Sequence, residues 1–260
     1  MALNNMKKVI FLGSKPIGYL TLEFLLNNSQ KLGIEVVGVL SNLNMSFGTE
    51  HNMRSLAERF DVPFVEELDA ILSYKDIDYL ISVQYHIILK QSHIDVAQKL
   101  AVNLHMAPLP EYRGCNQFSF AIYNQAKVFG ATLHRLESGI DNGDIIAEAR
   151  FKIPENATVK TLYDITFEKS LLLFTEEIAS VLEGNYTLTP QETLFAERGT
   201  NIYYRKDISK LKELNLEDNA DELIRKVRAT AMPGFEPPFI LHKEKKYYII
   251  PEEIYNIISH

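Results

Sequence analysis

Three short runs of aliphatic and β-branched residues, Val9–Leu12, Val36–Leu40 and Tyr79–Val83, are bounded by Gly, Ser or Asn and separated by longer amphipathic stretches. Runs that are apolar at nearly every position suit strands buried on both faces, as in a parallel sheet. Between them, Ile17–Asn28 carries Leu20 and Phe24, and Met53–Phe60 carries Leu56 and Phe60, at helical spacing. Strand–helix–strand–helix order predicts an α/β fold: a Rossmann-like, mostly parallel sheet with helices on both faces. Val102–His105, Ala131–Glu137 and Ile145–Ala149 read as further strands. Asn116–Ala126 and Thr158–Leu182 read as further helices, the second stopping at Gly184-Asn185.

The texture changes after Pro190, which divides the chain into residues 1–190 and a smaller C-terminal segment, 191–260. There Leu223–Val227 suggests a short helix, and Pro233-Gly234 and Pro237-Pro238 break the chain. Tyr247–Ile250 and Ile254–Ile258 read as short strands, so this segment is expected to contain β-structure.

Composition narrows the function classes. With 46% hydrophobic residues the chain has ample material for a core, and its one cysteine, Cys115, fits a reducing compartment and forms no internal disulfide. A formal net charge of -7 disfavours a nucleic-acid partner, which calls for a basic face. No apolar run approaches the ~18 residues of a membrane span. The apolar stretch after Lys7-Lys8 ends at Gly13, too soon for a signal peptide. A cytoplasmic protein without a membrane partner is expected.

The loop Gly13-Ser14-Lys15-Pro16-Ile17-Gly18 follows a strand and opens a helix, where a nucleotide fold places its phosphate loop. It lacks the second glycine of a dinucleotide fingerprint and the Lys-Ser/Thr of a P-loop. It reads equally as a tight turn or as a loop whose Lys15 meets an anion. Asn103 and His105 share one face of their strand, because side chains alternate with period two. An amide donor and an imidazole base at the C-terminal end of an α/β strand stand where such sheets build their crevice, although a lone strand histidine is more often structural. Pro108 and Pro110 predict a stiff, extended loop leading to Tyr112-Arg113-Gly114, whose arginine either holds an anion or is solvated. The turn Ser138–Asp144 combines two glycines and two carboxylates. It fails the calcium-loop spacing, and no His/Cys cluster at metal spacing occurs elsewhere, so no metal is expected. A carboxylate from this turn can reach the crevice and hold an imidazole.

Taken together, Asn103-Leu104-His105, Pro108-Leu109-Pro110, Tyr112-Arg113-Gly114 and Gly139-Ile140-Asp141-Asn142-Gly143-Asp144 resemble the formyltransferases that use 10-formyltetrahydrofolate. The resemblance covers about residues 7–185. It implies that His105 is the general base for the acceptor amine, that Asn103 stabilises the oxyanion, and that Asp141 holds His105. It further implies that folate lies against Gln84-Tyr85-His86-Ile87 after the third strand and against the Leu136–Asp141 segment, with Leu136, Gly139 and Asp144 as contacts.

Within that family the chain looks most like the nucleotide-sugar N-formyltransferases, with which it shares a Pro233-Gly234-Phe235-Glu236-Pro237 motif. The implied acceptor is a nucleotide-linked amino sugar, foremost a dTDP-4-amino-4,6-dideoxyhexose destined for bacterial surface polysaccharide such as O-antigen. Lys15 and Arg113 are the candidates for its pyrophosphate, and Phe235, Tyr112 or Tyr247 for its base, each aromatic also being a candidate for the core. Two other readings stand beside this one. A methionyl-tRNA formyltransferase would need a C-terminal barrel and a basic surface. A folate- or nucleotide-sugar-binding module would lack turnover. The apolar runs of the tail predict a homodimer.

Overall fold

The computed structural model describes residues 6–42 and 52–258. Six strands form the central sheet: β1 (Lys7–Gly13), β2 (Ile34–Leu40), β3 (Ile77–Val83), β4 (Ala97–His105), β6 (Val128–Arg135) and β7 (Ile145–Lys152). Their order is β2-β1-β3-β4-β6-β7. The first four are parallel, while β6 runs antiparallel to β4 and β7 antiparallel to β6. The expected mostly parallel sheet is therefore present, with a hairpin added to one side.

Alternation explains why β1 is apolar from Val9 to Leu12. Val9 and Phe11 join Ile81, Val83, Val102 and Leu104 beneath the helices Lys15–Asn27, Met53–Arg59 and Val159–Glu183. Ile10 and Leu12 face the other way, with Leu80 and Ala101, under the short helical turns Leu68–Ser73 and Gln91–Ile94. Burying both faces of a strand leaves no place for a polar side chain. The long helix is capped by Thr158, whose hydroxyl accepts the Thr161 N–H at 3.2 Å. It ends at Gly184 with φ +80°, a left-handed stop that glycine adopts at low cost.

β1 connects outward to β2, while β3 lies on its other side, so the C-terminal ends of β1 and β3 form a topological switch point, the usual crevice of an open α/β sheet. The Ser14 N–H donates to Val83 O at 3.1 Å there, closing the first loop against the end of β3.

Beyond Pro190 the chain packs back on this core. The two-residue strands β5 (Arg113–Gly114) and β8 (Ile202–Tyr203) pair in parallel. The expected short helix is longer than its apolar residues suggested, Ala220–Thr230, and Arg228 donates to Ala157 O at the foot of the long helix. β9 (Phe239–His242) and β10 (Lys245–Tyr248) form an antiparallel hairpin. Ile254–Ile258, expected as a strand, is instead helical within Glu252–Ile258. The Pro251 carbonyl accepts the N–H groups of both Ile254 and Tyr255, so the proline starts a helix that the apolar spacing alone does not distinguish from a strand. The loop of two prolines is also not extended: the Leu109–Pro110 peptide is cis, and the Tyr112 N–H donates to Pro108 O at 3.1 Å, closing a turn.

Candidate active site

β4 carries Asn103 and His105 to its C-terminal end on one face, while Val102 and Leu104 enter the core on the other. The His105 ring is buried. Its Nε2 stands 2.7 Å from Tyr112 O, and since a carbonyl only accepts, Nε2 bears the hydrogen. The lone pair of the neutral ring therefore lies on Nδ1, 3.7 Å from Asp141 Oδ2.

Asp141 sits at the tip of the turn between β6 and β7 with φ +45°, a left-handed conformation that aspartate tolerates better than most residues. Its Oδ2 accepts the Gly114 N–H at 2.9 Å, and its Oδ1 stands 3.6 Å from His134 Nε2. Burial alone would raise the Asp141 carboxyl. The positive charge that the His105 and His134 imidazoles carry when protonated, together with the Gly114 N–H, outweighs burial and holds it well below the usual carboxylate range. The group is an anion at any physiological pH.

His134 completes a constellation that the motif reading did not contain. It lies on β6 opposite Asn103, the two residues being paired in register. Its Nδ1 donates to Arg135 O at 2.8 Å, so its Nε2 accepts from Asn103 Nδ2 at 3.1 Å. One amide hydrogen of Asn103 is thereby committed and the other remains to be donated. The two imidazoles meet edge to face with centroids 6.4 Å apart. Backbone carbonyls fix both tautomers, and one carboxylate lies between the rings. Among the described residues, no group of three or more His, Cys, Asp or Glu is placed to hold a metal ion.

Two glycines allow the close approaches that assemble this cluster. Gly114, at φ +89°, lies against Tyr203, and a Cβ there would collide with the Tyr203 carbonyl oxygen. A Cβ on Gly143 would likewise strike Arg135 O, so this position admits the turn that carries Asp141 only without a side chain.

The remaining candidates are placed as follows. Gln84, at φ +54°, accepts from Lys15 Nζ at 3.0 Å, joining the two loops of the switch point. Burial pushes the Lys15 ammonium pKa down, with Arg205 adding to the effect and Cys115 opposing it. Tyr85 and Leu136 pack against the same cluster as Ala101, on the β4 face that leads to Asn103, and the Leu136 N–H donates to Ala101 O at 2.8 Å. His86 meets Tyr85 edge to face, and partial burial lowers its pKa. Ile87 and Ile88 are exposed on this loop. Gly139 is exposed at the turn, where Asn142 packs across it. Asp144 is bound to Arg135 at 3.0 Å, so its carboxylate closes the base of the turn. Arg113 donates through Nε to Ile140 O at 2.8 Å and thus braces the same turn.

Tyr112 differs from the expectation of a platform for a base. Its ring is buried, stacked on Tyr203 at 5.8 Å and tilted against Phe129, and burial pushes its hydroxyl pKa up to about 12. The part of Tyr112 that reaches the site is its carbonyl. Phe235 is exposed on the turn between the helix Ala220–Thr230 and β9.

This geometry, with an amide and two imidazoles around one carboxylate at the C-terminal edge of a parallel strand, agrees with the match of residues 7–176 to the family model described as formyl transferase. The chain belongs to the formyl transferase family. Its curated relatives include the bifunctional polymyxin resistance protein ArnA of Wigglesworthia glossinidia brevipalpis, 26% identical over 255 residues, which are 92% of this chain and 38% of ArnA. They also include the GDP-perosamine N-formyltransferase of Brucella melitensis biotype 1, 28% identical over 176 residues, 68% of this chain and 65% of that enzyme. Methionyl-tRNA formyltransferases of Staphylococcus aureus are 27% identical over 210 residues, 76% of this chain and 66% of those enzymes. This chain thus spans about two fifths of ArnA and just under two thirds of the GDP-perosamine enzyme.

Among solved structures, an N-formyltransferase from Helicobacter canadensis in complex with folinic acid and dTDP-3-aminofucose superposes with TM-score 0.77 at 24% identity. The alignment covers 93% of this chain and 86% of that one. WlaRD, a sugar 3N-formyl transferase studied with dTDP and 5-N-formyl-THF, gives TM-score 0.76 at 25% identity over 93% and 84% of the two chains. The shared fold extends through the C-terminal segment in both.

Proposed function

We propose that the protein is a sugar N-formyltransferase that moves a formyl group from 10-formyltetrahydrofolate to the amine of a nucleotide-linked amino sugar. The dTDP-4-amino-4,6-dideoxyhexoses are the first acceptors to test, in the assembly of bacterial surface polysaccharide. The observation that carries this reading is the arrangement of Asn103, His105, His134 and Asp141 around one point at the end of β4. Covering 93% of this chain, the likeness to chains solved with folinic acid or 5-N-formyl-THF, and with dTDP or dTDP-3-aminofucose, supports the choice of substrates.

The formyl donor supplies an activated one-carbon group, and the side chains perform the rest. As the acceptor nitrogen bonds to the formyl carbon, His105 accepts a proton from it at Nδ1, the nitrogen left free by its bond to Tyr112 O, and returns that proton to the folate nitrogen as its bond to the formyl carbon breaks and tetrahydrofolate leaves. Asp141 lies 3.7 Å away and stabilises the imidazolium that results. Asn103 turns its uncommitted amide hydrogen toward the formyl oxygen as negative charge builds there, and His134 keeps the amide from rotating away. The face of β4 that ends at Asn103 offers folate a rim formed by Tyr85, Leu136 and the exposed Ile87. Lys15 suits a pyrophosphate, because an anion there would relieve both its burial and the repulsion from Arg205.

The reading includes a cytoplasmic homodimer. The β9–β10 hairpin exposes Leu241, Tyr247 and Tyr248, and beside it an apolar cleft of about 540 Å³ opens between Leu214, Leu223, Ile224, Val227, Ile240 and Ile249. A second copy related by a two-fold axis would cover this surface. Sedimentation of the purified protein tests it: a concentration-independent monomer contradicts the dimer. The catalytic reading is tested by offering purified protein 10-formyltetrahydrofolate with dTDP-3-amino, dTDP-4-amino and UDP-4-amino sugars, glycinamide ribonucleotide and methionyl-tRNA. One formyl group on a nucleotide sugar is the expected product, and formylation of methionyl-tRNA alone overturns the choice of acceptor.

A further inference from the structure

The turn that carries Asp141 is held from beyond Pro190. Gln191 is buried, and its Nε2 donates to two main-chain carbonyls of that turn, Asp141 O at 2.9 Å and Gly143 O at 2.7 Å. Both hydrogens of the amide are used, and its Oε1 is buried without a partner. The amide orientation is thereby fixed, because the reverse would set an oxygen against two carbonyl oxygens. Thr189 pairs with Ile145 through two hydrogen bonds of 2.9 Å, which delivers Gln191 to the turn at a set height. On the other side, β8 pairs with β5 and fixes Gly114, whose N–H holds the Asp141 carboxylate. Farther along, Arg198 grips Glu148 of β7 with two bonds of 3.0 Å.

We infer that Gln191 is a positioning residue for the formyl transfer: by clamping the carbonyls of Asp141 and Gly143 it holds the left-handed turn that aims the Asp141 carboxylate between His105 and His134. The inference rests on the reading of Asp141 as the partner of His105. It makes residues 189–203 part of the catalytic unit. Gln191 touches no substrate; it acts on the main chain of a residue that is strained at φ +45° and whose side chain must meet two imidazoles together. Small displacements of such a group cost rate more than binding.

The test is Gln191→Met, which keeps the volume and removes both donors, with Gln191→His as the partial rescue that restores one N–H. Gln191→Met is expected to lower kcat by about tenfold to a hundredfold, with KM for the formyl donor and the amine held within about threefold. Gln191→His is expected to regain part of that loss. In ¹⁵N-histidine spectra, the ring signals of His105 and His134, assigned by single substitution, are expected to move as they do in Asp141→Asn. A space-filling role alone leaves Gln191→Met with wild-type kcat and unmoved ring signals, and that result overturns the inference. If Gln191→Met does not fold, Gln191→Asn, which withdraws the amide by one methylene, replaces it: lowered kcat with shifted ring signals supports the clamp, and wild-type values of both overturn it. The ring spectra need no acceptor, so a wild type that formylates none of the amines offered removes the proposed function without deciding the fate of the clamp.

Discussion

In β1 and β3 nearly every side chain is buried, on one face under the long helix Val159–Glu183 and on the other under short turns. Beyond Pro190 the elements are short, and Leu216, Ile224, Phe235, Tyr247 and Tyr248 are each half or more exposed. The sheet is stabilised chiefly by removing apolar surface from water, which is non-directional and tolerant of detail. The C-terminal segment shares a smaller apolar seam, in which Ala229 and Tyr203 join Tyr112, Ile122, Phe129 and Leu162, and adds directed contacts to it: the Gln191 clamp, the paired β5 and β8, the Arg198–Glu148 fork and the Arg228 bonds to Ala157 O. The two regions divide the labour. Burial sets β4 and β6 at a fixed spacing so that Asn103 and His134 meet, whereas polar contacts from the later segment aim the Asp141 carboxylate, the one member of the cluster that lies on a turn.

That division can be broken at several points. The largest effect is expected at the chemistry itself. His105→Ala should lower kcat by about a hundredfold to ten-thousandfold with the fold intact, checked by steady-state kinetics beside a melting curve. Retained kcat in that variant removes the base from the account. Next comes Phe174→Ala on the buried face of the long helix. It should cost about 3–5 kcal/mol in denaturant unfolding, while Tyr248→Ser on the exposed hairpin should cost about 0.5 or less in a monomer. Equal losses at the two sites would mean that the regions are not held differently.

Tyr112 sharpens the comparison because it lies where the two regions meet, between Phe129 and Tyr203. Burial raises its folded pKa to about 12, so the fold favours the neutral phenol. That contribution is fully present below about pH 10 and is lost as pH rises through about 12, a swing on the order of 2–3 kcal/mol. Tyr112→Phe should therefore flatten alkaline unfolding over that window. An unchanged alkaline profile would show that the ring is not buried as described. A smaller effect is expected at the switch point. Lys15→Met should raise KM for the nucleotide sugar about tenfold and leave KM for the formyl donor unchanged, since one charge-assisted contact is lost. A rise in the folate KM instead would reassign Lys15.

The sheet was legible because its strands are buried on both faces and so carry an unbroken apolar signature. Asn103, His105 and Asp141 were legible because two share a strand face and the third lies in a turn rich in glycine and carboxylates. His134 was not, because a histidine within Ala131–Glu137 looks like any strand residue until β6 is set opposite β4, and its partner Asn103 is remote in sequence. For Tyr112 the sequence shows an aromatic after a proline loop, a candidate for the core or for a base, but not which of its atoms face the site. Gln191 gives no signal at all: it is one polar residue after a proline, and its role exists only through two carbonyls brought to it by the fold. The helix at Ile254–Ile258 depends on a proline start that apolar spacing does not report.

We propose that the Asn103–His105–Asp141–His134 cluster transfers a formyl group to the amine of a nucleotide sugar. Mass spectrometry of the purified protein with 10-formyltetrahydrofolate and the acceptor panel, run beside His105→Ala, tests it most directly. The predicted result is one formyl group on a dTDP-linked amino sugar with wild type and none above background with the variant. A formyl group delivered equally well by His105→Ala, or found only on methionyl-tRNA, would contradict it.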